Sequence, residues 1–144
     1  MESATIGDVH TEARIENLKD LWDEERGLCP PAKVRRITVP DAMVDTGETL
    51  LSVPTRLIRQ LGLKERHKKR VLSSVGVAEV GVYDAVRLTI QGRTCTMDVV
   101  EVSDDVPVLI GQLPLVHLDF VIDPRSRSLI GNPAHGGEHM HKIY

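Results

Sequence analysis

The chain has 144 residues, the size of one domain, and 41% of them are hydrophobic but only 3% aromatic. Its core must therefore be aliphatic, and branched aliphatic side chains pack best on the pleated surface of β structure. A net charge of −3 excludes the broad positive field that nucleic acid or an acidic membrane would require.

Residues 1–12 are polar and are expected to form a flexible N-terminal segment ahead of a domain spanning 13–133. The charges within residues 1–19 leave no secretory apolar core, and no apolar stretch is long enough to span a bilayer. Cys29 and Cys95 make at most one disulfide, and neither has a neighbouring His to activate it. These features predict a cytoplasmic protein with free thiols. Ile15, Leu18, Leu21 and Trp22 fit a helical stripe, although the same stretch also fits the start of a strand.

Gly27 and the pair Pro30-Pro31 mark a loop. Residues 34–39 read as a strand ended by Pro40, and Ala42-Met43-Val44 as a second, short buried strand. After residues 50–53 comes the clearest helix signal, 54–62. Ser52 is its candidate cap, Pro54 lies near the first turn, and Gly62 is the stop. The basic run 64–70 lacks the aromatic or glycine interleaving of a nucleic-acid surface, so a solvated loop or exposed strand is expected and no nucleic-acid partner.

Residues 71–102 read as β throughout. One hairpin has its tip near Gly76, with Gly81 as a competing turn. A second turns at Gln91-Gly92, where Val86, Leu88 and Ile90 alternate with polar residues and, on the return strand, Cys95, Met97 and Val99 alternate with Thr94, Thr96 and Asp98. A buried strand over 106–110, a short helix over 113–118 opening with Pro114, and closing strands at 118–123 and 128–130 complete the domain. Residues 134–144 read as a flexible tail. His135, Glu138, His139 and His141 in that tail are metal-ligating types. However, His139 and His141 would point to opposite sides of a strand and Gly136-Gly137 supplies no frame, so no metal or other cofactor is expected. His117 reads as a surface or hydrogen-bonded core residue.

Two stretches stand apart. Asp45-Thr46-Gly47 follows the apolar run Ala42-Met43-Val44, and Leu109-Ile110-Gly111 repeats the pattern of an apolar run stopped by glycine. An acid on a tight turn after a buried strand is a common strand ending, and it is also a way to hold a carboxylate at the floor of a cleft. In that setting the Thr46 hydroxyl would lock the loop and the Gly47 N–H would donate to the Asp45 carboxylate.

Val44-Asp45-Thr46-Gly47, followed by Leu50-Leu51-Ser52-Val53-Pro54, a Gly-bearing hairpin and Leu109-Ile110-Gly111 before a short helix, resembles the retropepsin-like aspartic proteases. The resemblance covers about residues 34–131. It implies a mainly β fold, a small closed antiparallel barrel with one or two short helices, working as a homodimer on peptide or protein substrates without a cofactor. Two carboxylates share a proton around one water; the ionised one acts as base and its protonated partner polarises the scissile carbonyl. The chain carries one Asp-Thr-Gly, so Asp45 from each of two subunits would supply the pair. The resemblance assigns Thr46, Gly47, Leu109, Ile110 and Gly111 to support of the catalytic loop. It assigns Ser74, Val75, Gly76 and Val77 to the tip of a flap. Glu48 stands where the family usually has a small residue, which bears on substrate range and pH optimum. The same barrel dimer holding a peptide without cutting it is the alternative.

Overall fold

The structure, a computed structural model, describes residues 8–140; the expected flexible residues 1–7, and His141 at the other end, lie outside the described residues. Strand β1 (Val9–Asn17) runs directly into helix α1 (Leu18–Glu25). The two readings of residues 13–22 are thus both present in succession. Ile15 belongs to the strand, Leu18 and Leu21 pack on Val34, and Trp22 faces solvent. Asn17 makes the junction. Its side chain accepts the Asp20 N–H at 3.0 Å as a helix cap and donates to Leu61 O at 2.8 Å. β1 begins at Val9, ahead of the expected domain start at 13, because Val9 pairs with Val44 and buries its side chain.

Strand β2 (Arg36–Val44) continues through Pro40, which the sequence marks as a stop. Between Thr11–Ala42 and Ala13–Val39 the register shifts, so Pro40 and Asp41 sit opposite a single residue of β1. A bulge removes the need for the N–H that proline lacks. β3 (Leu51–Pro54) leads into α2 (Thr55–Gln60), where Ser52 does not cap; it is buried in β3, and the free Arg56 N–H is taken by Asp104 Oδ1 at 2.8 Å. β4 (Glu65–Ser73) carries the basic run on an exposed strand, with Arg66 paired to Asp84. β5 (Gly76–Ile90) is one long strand shared by both hairpins, so Gly81 lies within it opposite Lys68 and is no turn. A side chain there would crowd the Tyr83 ring, 2.9 Å from an added Cβ.

β6 (Arg93–Val102) returns from the Gln91-Gly92 turn, whose two residues have φ of 49° and 80°, the positive values such a turn demands. β7 is only Leu109–Ile110, shorter than expected, because Val106 is held in a turn by its bond to Ser103 O. Helix α3 (Gln112–Leu118) and the hairpin β8 (Phe120–Asp123) and β9 (Ser128–Gly131) follow. The described residues thus hold three α-helices, one more than expected.

Hydrogen bonding runs in the order β1-β2-β7-β3-β6-β5-β4, and β5 also pairs with β1. Most pairs are antiparallel, while β2 with β7 and β3 with β6 are parallel. The core that these strands share is aliphatic: Ile15, Leu51, Val53, Val86, Leu88, Val99 and Ile110 are fully buried. Each such side chain contributes about 1.5–3 kcal/mol.

Candidate active site

Asp45 stands where β2 leaves the sheet. Val44 behind it is buried, the acid itself is half-buried, and Thr46 and Gly47 are exposed. Backbone bonds fix the turn: the Asp45 N–H donates to Ile110 O at 3.0 Å and the Glu48 N–H to Asp45 O at 3.0 Å. The Gly47 N–H donates to Asp45 Oδ1 at 3.0 Å, which orients the carboxylate. The Thr46 hydroxyl is exposed and makes no hydrogen bond among the described residues.

β7 lies between β2 and β3. Leu109 pairs with Met43 on one side and Ser52 on the other, and Ile110 likewise with Val44 and Leu51. Gly111 continues this support, donating its N–H to Leu50 O at 3.1 Å. An added Cβ at Gly111 would lie 2.6 Å from Leu50 O and 2.8 Å from the Glu48 carbonyl, so only glycine allows the two backbones to touch. The Gln112 and Leu113 N–H groups, free at the start of α3, donate to Glu48 O and Thr49 O at 2.9 Å each. The Asp-Thr-Gly loop is therefore tied to β7 and to the first turn of α3 by backbone alone.

In front of this floor rises the β4–β5 hairpin. Ser73 pairs with Gly76 across the tip, and the Ser73 hydroxyl donates to Gly76 O at 2.9 Å. Gly76 has φ of +123°, a conformation open to glycine. Leu72, Val75 and Val77 are exposed, Val75 at 94%. At its root the hairpin is anchored through Glu101, which accepts from the Tyr83 hydroxyl at 3.0 Å and the Thr55 hydroxyl at 2.7 Å.

Floor and hairpin enclose a groove of about 570 Å³. Gly47, Glu48, Thr49, Leu50 and Ser52 line one side; Lys69, Val71, Leu72, Ser73 and Ser74 line the other; Val80, Val100 and Val102 close the back. Of the expected tip residues Ser74 lines it, whereas Val75, Gly76 and Val77 lie beyond, and Asp45 flanks it through Gly47. Lys69, Val80, Val100 and Val102 were not singled out in the sequence. The alternation Lys69, Val71, Ser73 along one strand face was the available signal.

A second polar centre lies away from the groove. Asp119, in the left-handed conformation that caps α3, is buried and accepts from His135 Nδ1 at 2.7 Å, the Met140 N–H at 3.0 Å and Asn132 Nδ2 at 3.4 Å. The His135 bond foremost holds its carboxyl down at about 2. Arg93, over the Phe120 ring, donates to Leu118 O and Asp119 O and reaches Gly137 O. The segment expected as a loose tail from 134 is thus fastened through Met140. His117 is exposed, and its carbonyl accepts from His139 Nε2 at 3.0 Å. Among the described residues no group of three His, Cys, Asp or Glu side chains is placed to hold a metal ion. Cys29 and Cys95 are free thiols, and burial pushes Cys95 up to about 11. No described helix is long and apolar enough to cross a membrane.

Residues 31–133 match the model of a family described as aspartyl protease. The fold is similar to the retroviral protease-like domain of Ddi1 from Leishmania major, with a TM-score of 0.53 over 87% of this chain and 88% of that one, at 16% identity. No curated protein matches the chain.

Proposed function

The chain belongs to the aspartyl protease family, and from that premise we propose that it is an aspartic endopeptidase active as a homodimer. The observation that carries this reading is the Asp45 loop: one oriented, half-buried carboxylate at the edge of a groove, held by backbone bonds from β7 and α3. One such acid is half of the required machinery. Asp45 of a second copy supplies the other half, and the two share one proton around the attacking water. The ionised member takes the proton of the water as it attacks the scissile carbonyl; the protonated member donates to the carbonyl oxygen.

In this reading the exposed Thr46 hydroxyl, unpartnered among the described residues, bonds across the dimer. Leu109, Ile110 and Gly111 brace the loop from behind, and Gly47 orients the carboxylate. The hairpin tip of Ser74, Val75, Gly76 and Val77 is the flap that closes over substrate and excludes water. The return of pairing from β5 to β1 supports a closed barrel as the frame. Two free thiols support a reducing, cytoplasmic setting.

A second reading keeps the dimer and groove but assigns peptide holding without cleavage; Glu48, a carboxylate lining the groove three residues from Asp45, favours it. Wild type and Asp45→Asn incubated with an unfolded protein across acidic and neutral pH separate the two. Fragments from wild type and none from Asp45→Asn are expected. Equal digestion by both, or no digestion by a folded wild-type dimer, would overturn the peptidase reading.

A further inference from the structure

Glu48 is one of two charged residues lining the groove; the other is Lys69 on the opposite wall, and the remainder is aliphatic, hydroxyl-bearing or glycine. The position of Glu48 is imposed by its backbone, since its N–H is bound to Asp45 O at 3.0 Å and its carbonyl to the Gln112 N–H at 2.9 Å. Its side chain is half-buried yet has no hydrogen-bond or ion-pair partner among the described residues, and no bridge joins it to Lys69. Among the other half-buried and buried carboxylates, Asp20 is matched by Arg35, Glu16 by Arg36, Asp84 by Arg66, Asp119 by His135 and Glu101 by two hydroxyls; Glu24 on α1 also lacks a side-chain partner among the described residues, but it does not line the groove. A carboxylate held in partial desolvation without a partner is poised to receive a cation.

We propose that Glu48 is a specificity-determining residue that selects peptides bearing a lysine or arginine directed at the groove floor, beside the bond presented to Asp45. An extended peptide points successive side chains to opposite faces, so the neighbour of that basic residue faces the hairpin wall and Lys69 rather than Glu48. Lys69 disfavours the inverted placement, with the basic side chain against the hairpin. The aliphatic lining of Leu50, Val71, Val80 and Val100 takes the methylene stem of the lysine or arginine, leaving its charge to Glu48.

The inference rests on the groove being the substrate cleft, and it is tested by affinity so that it is read whether or not the chain cuts. The probes are two fluorescent peptides identical except for lysine or its uncharged isostere norleucine at one position, bound to the Asp45→Asn protein. The lysine peptide is expected to bind at least about fivefold tighter at low salt, as one partly exposed charge pair allows. Glu48→Gln on the same background is expected to bring the ratio to about one and Glu48→Lys to reverse it. Equal binding of the two peptides to the Asp45→Asn protein, or a lysine preference that survives Glu48→Gln, would overturn the proposal. A lysine preference abolished by Glu48→Gln in a chain whose wild type yields no fragments would sustain the proposal and sink the peptidase reading alone.

Discussion

Behind Asp45, Val44, Leu51 and Ile110 are buried, and backbone bonds from β7, Gly111 and α3 tie the chain at Asp45 and again at Glu48, Thr49 and Leu50. Across the groove, Leu72, Val75 and Val77 of the β4–β5 hairpin point their apolar side chains into water, and only the Ser73–Gly76 turn orders the tip. The two sides of the groove therefore differ in what holds them. The floor is fixed by packing and by backbone contact too close for any side chain at Gly111, which gives a carboxylate a set position. The hairpin keeps its register by strand pairing, and among the described residues its exposed tip has little packing, as the proposed flap requires. Pre-organisation and mobility are divided between two elements a few residues wide.

That division is open to direct attack. Ile110→Ala removes a fully buried side chain from between β2 and β3 and is expected to cost about 2–5 kcal/mol in urea unfolding, the usual range for such a cavity. Gly111→Ala forces a Cβ against two carbonyl groups and is expected to cost about 1–3 kcal/mol, with cleavage or peptide affinity falling further than stability because the Asp45 loop shifts. An unchanged unfolding midpoint for Gly111→Ala would show that the floor yields, and the contrast would fail.

The Asp119 clasp extends the fixed side to the end of α3, and its pH dependence has a definite sign. The folded carboxyl titrates near 2, below its ordinary value of 3.8. It therefore contributes stability that is present above the ordinary value and is lost as pH falls toward the folded one. Between about pH 5 and pH 2 the wild type should lose more stability than Asp119→Asn, measured by thermal melting; parallel losses would remove the clasp from the account. Smallest in stability, Val75→Ser at the hairpin tip is expected to stay within about 0.5 kcal/mol of wild type, yet to lower turnover of a peptide. A large loss of stability there would mean that the tip is packed after all.

The same contrast marks what could be seen in the sequence. Asp45-Thr46-Gly47 and Leu109-Ile110-Gly111 were legible because local chemistry, an acid and glycines after apolar runs, names both. The helix after β3 and the hairpin at Gln91-Gly92 were legible from periodicity and turn residues. What escaped depended on distant partners. Pro40 ends a strand by local rules, and only the bulge opposite β1 lets β2 pass through it. Parallel pairing of β7 with β2 has no local signature, and neither does the fastening of residues 132–140 to Asp119. Lys69 looked like one member of a basic run, and only the fold turns it toward the groove.

In the proposed peptidase, Asp45 is half of a site. Co-refolding wild type with Asp45→Asn in known proportions and measuring fragment release puts this to the test. If each site needs Asp45 from two chains, activity follows the square of the wild-type fraction, so an equal mixture retains about a quarter of full activity. Activity falling in simple proportion, to about half in that mixture, would rule out a shared site, because each chain would then carry a complete one.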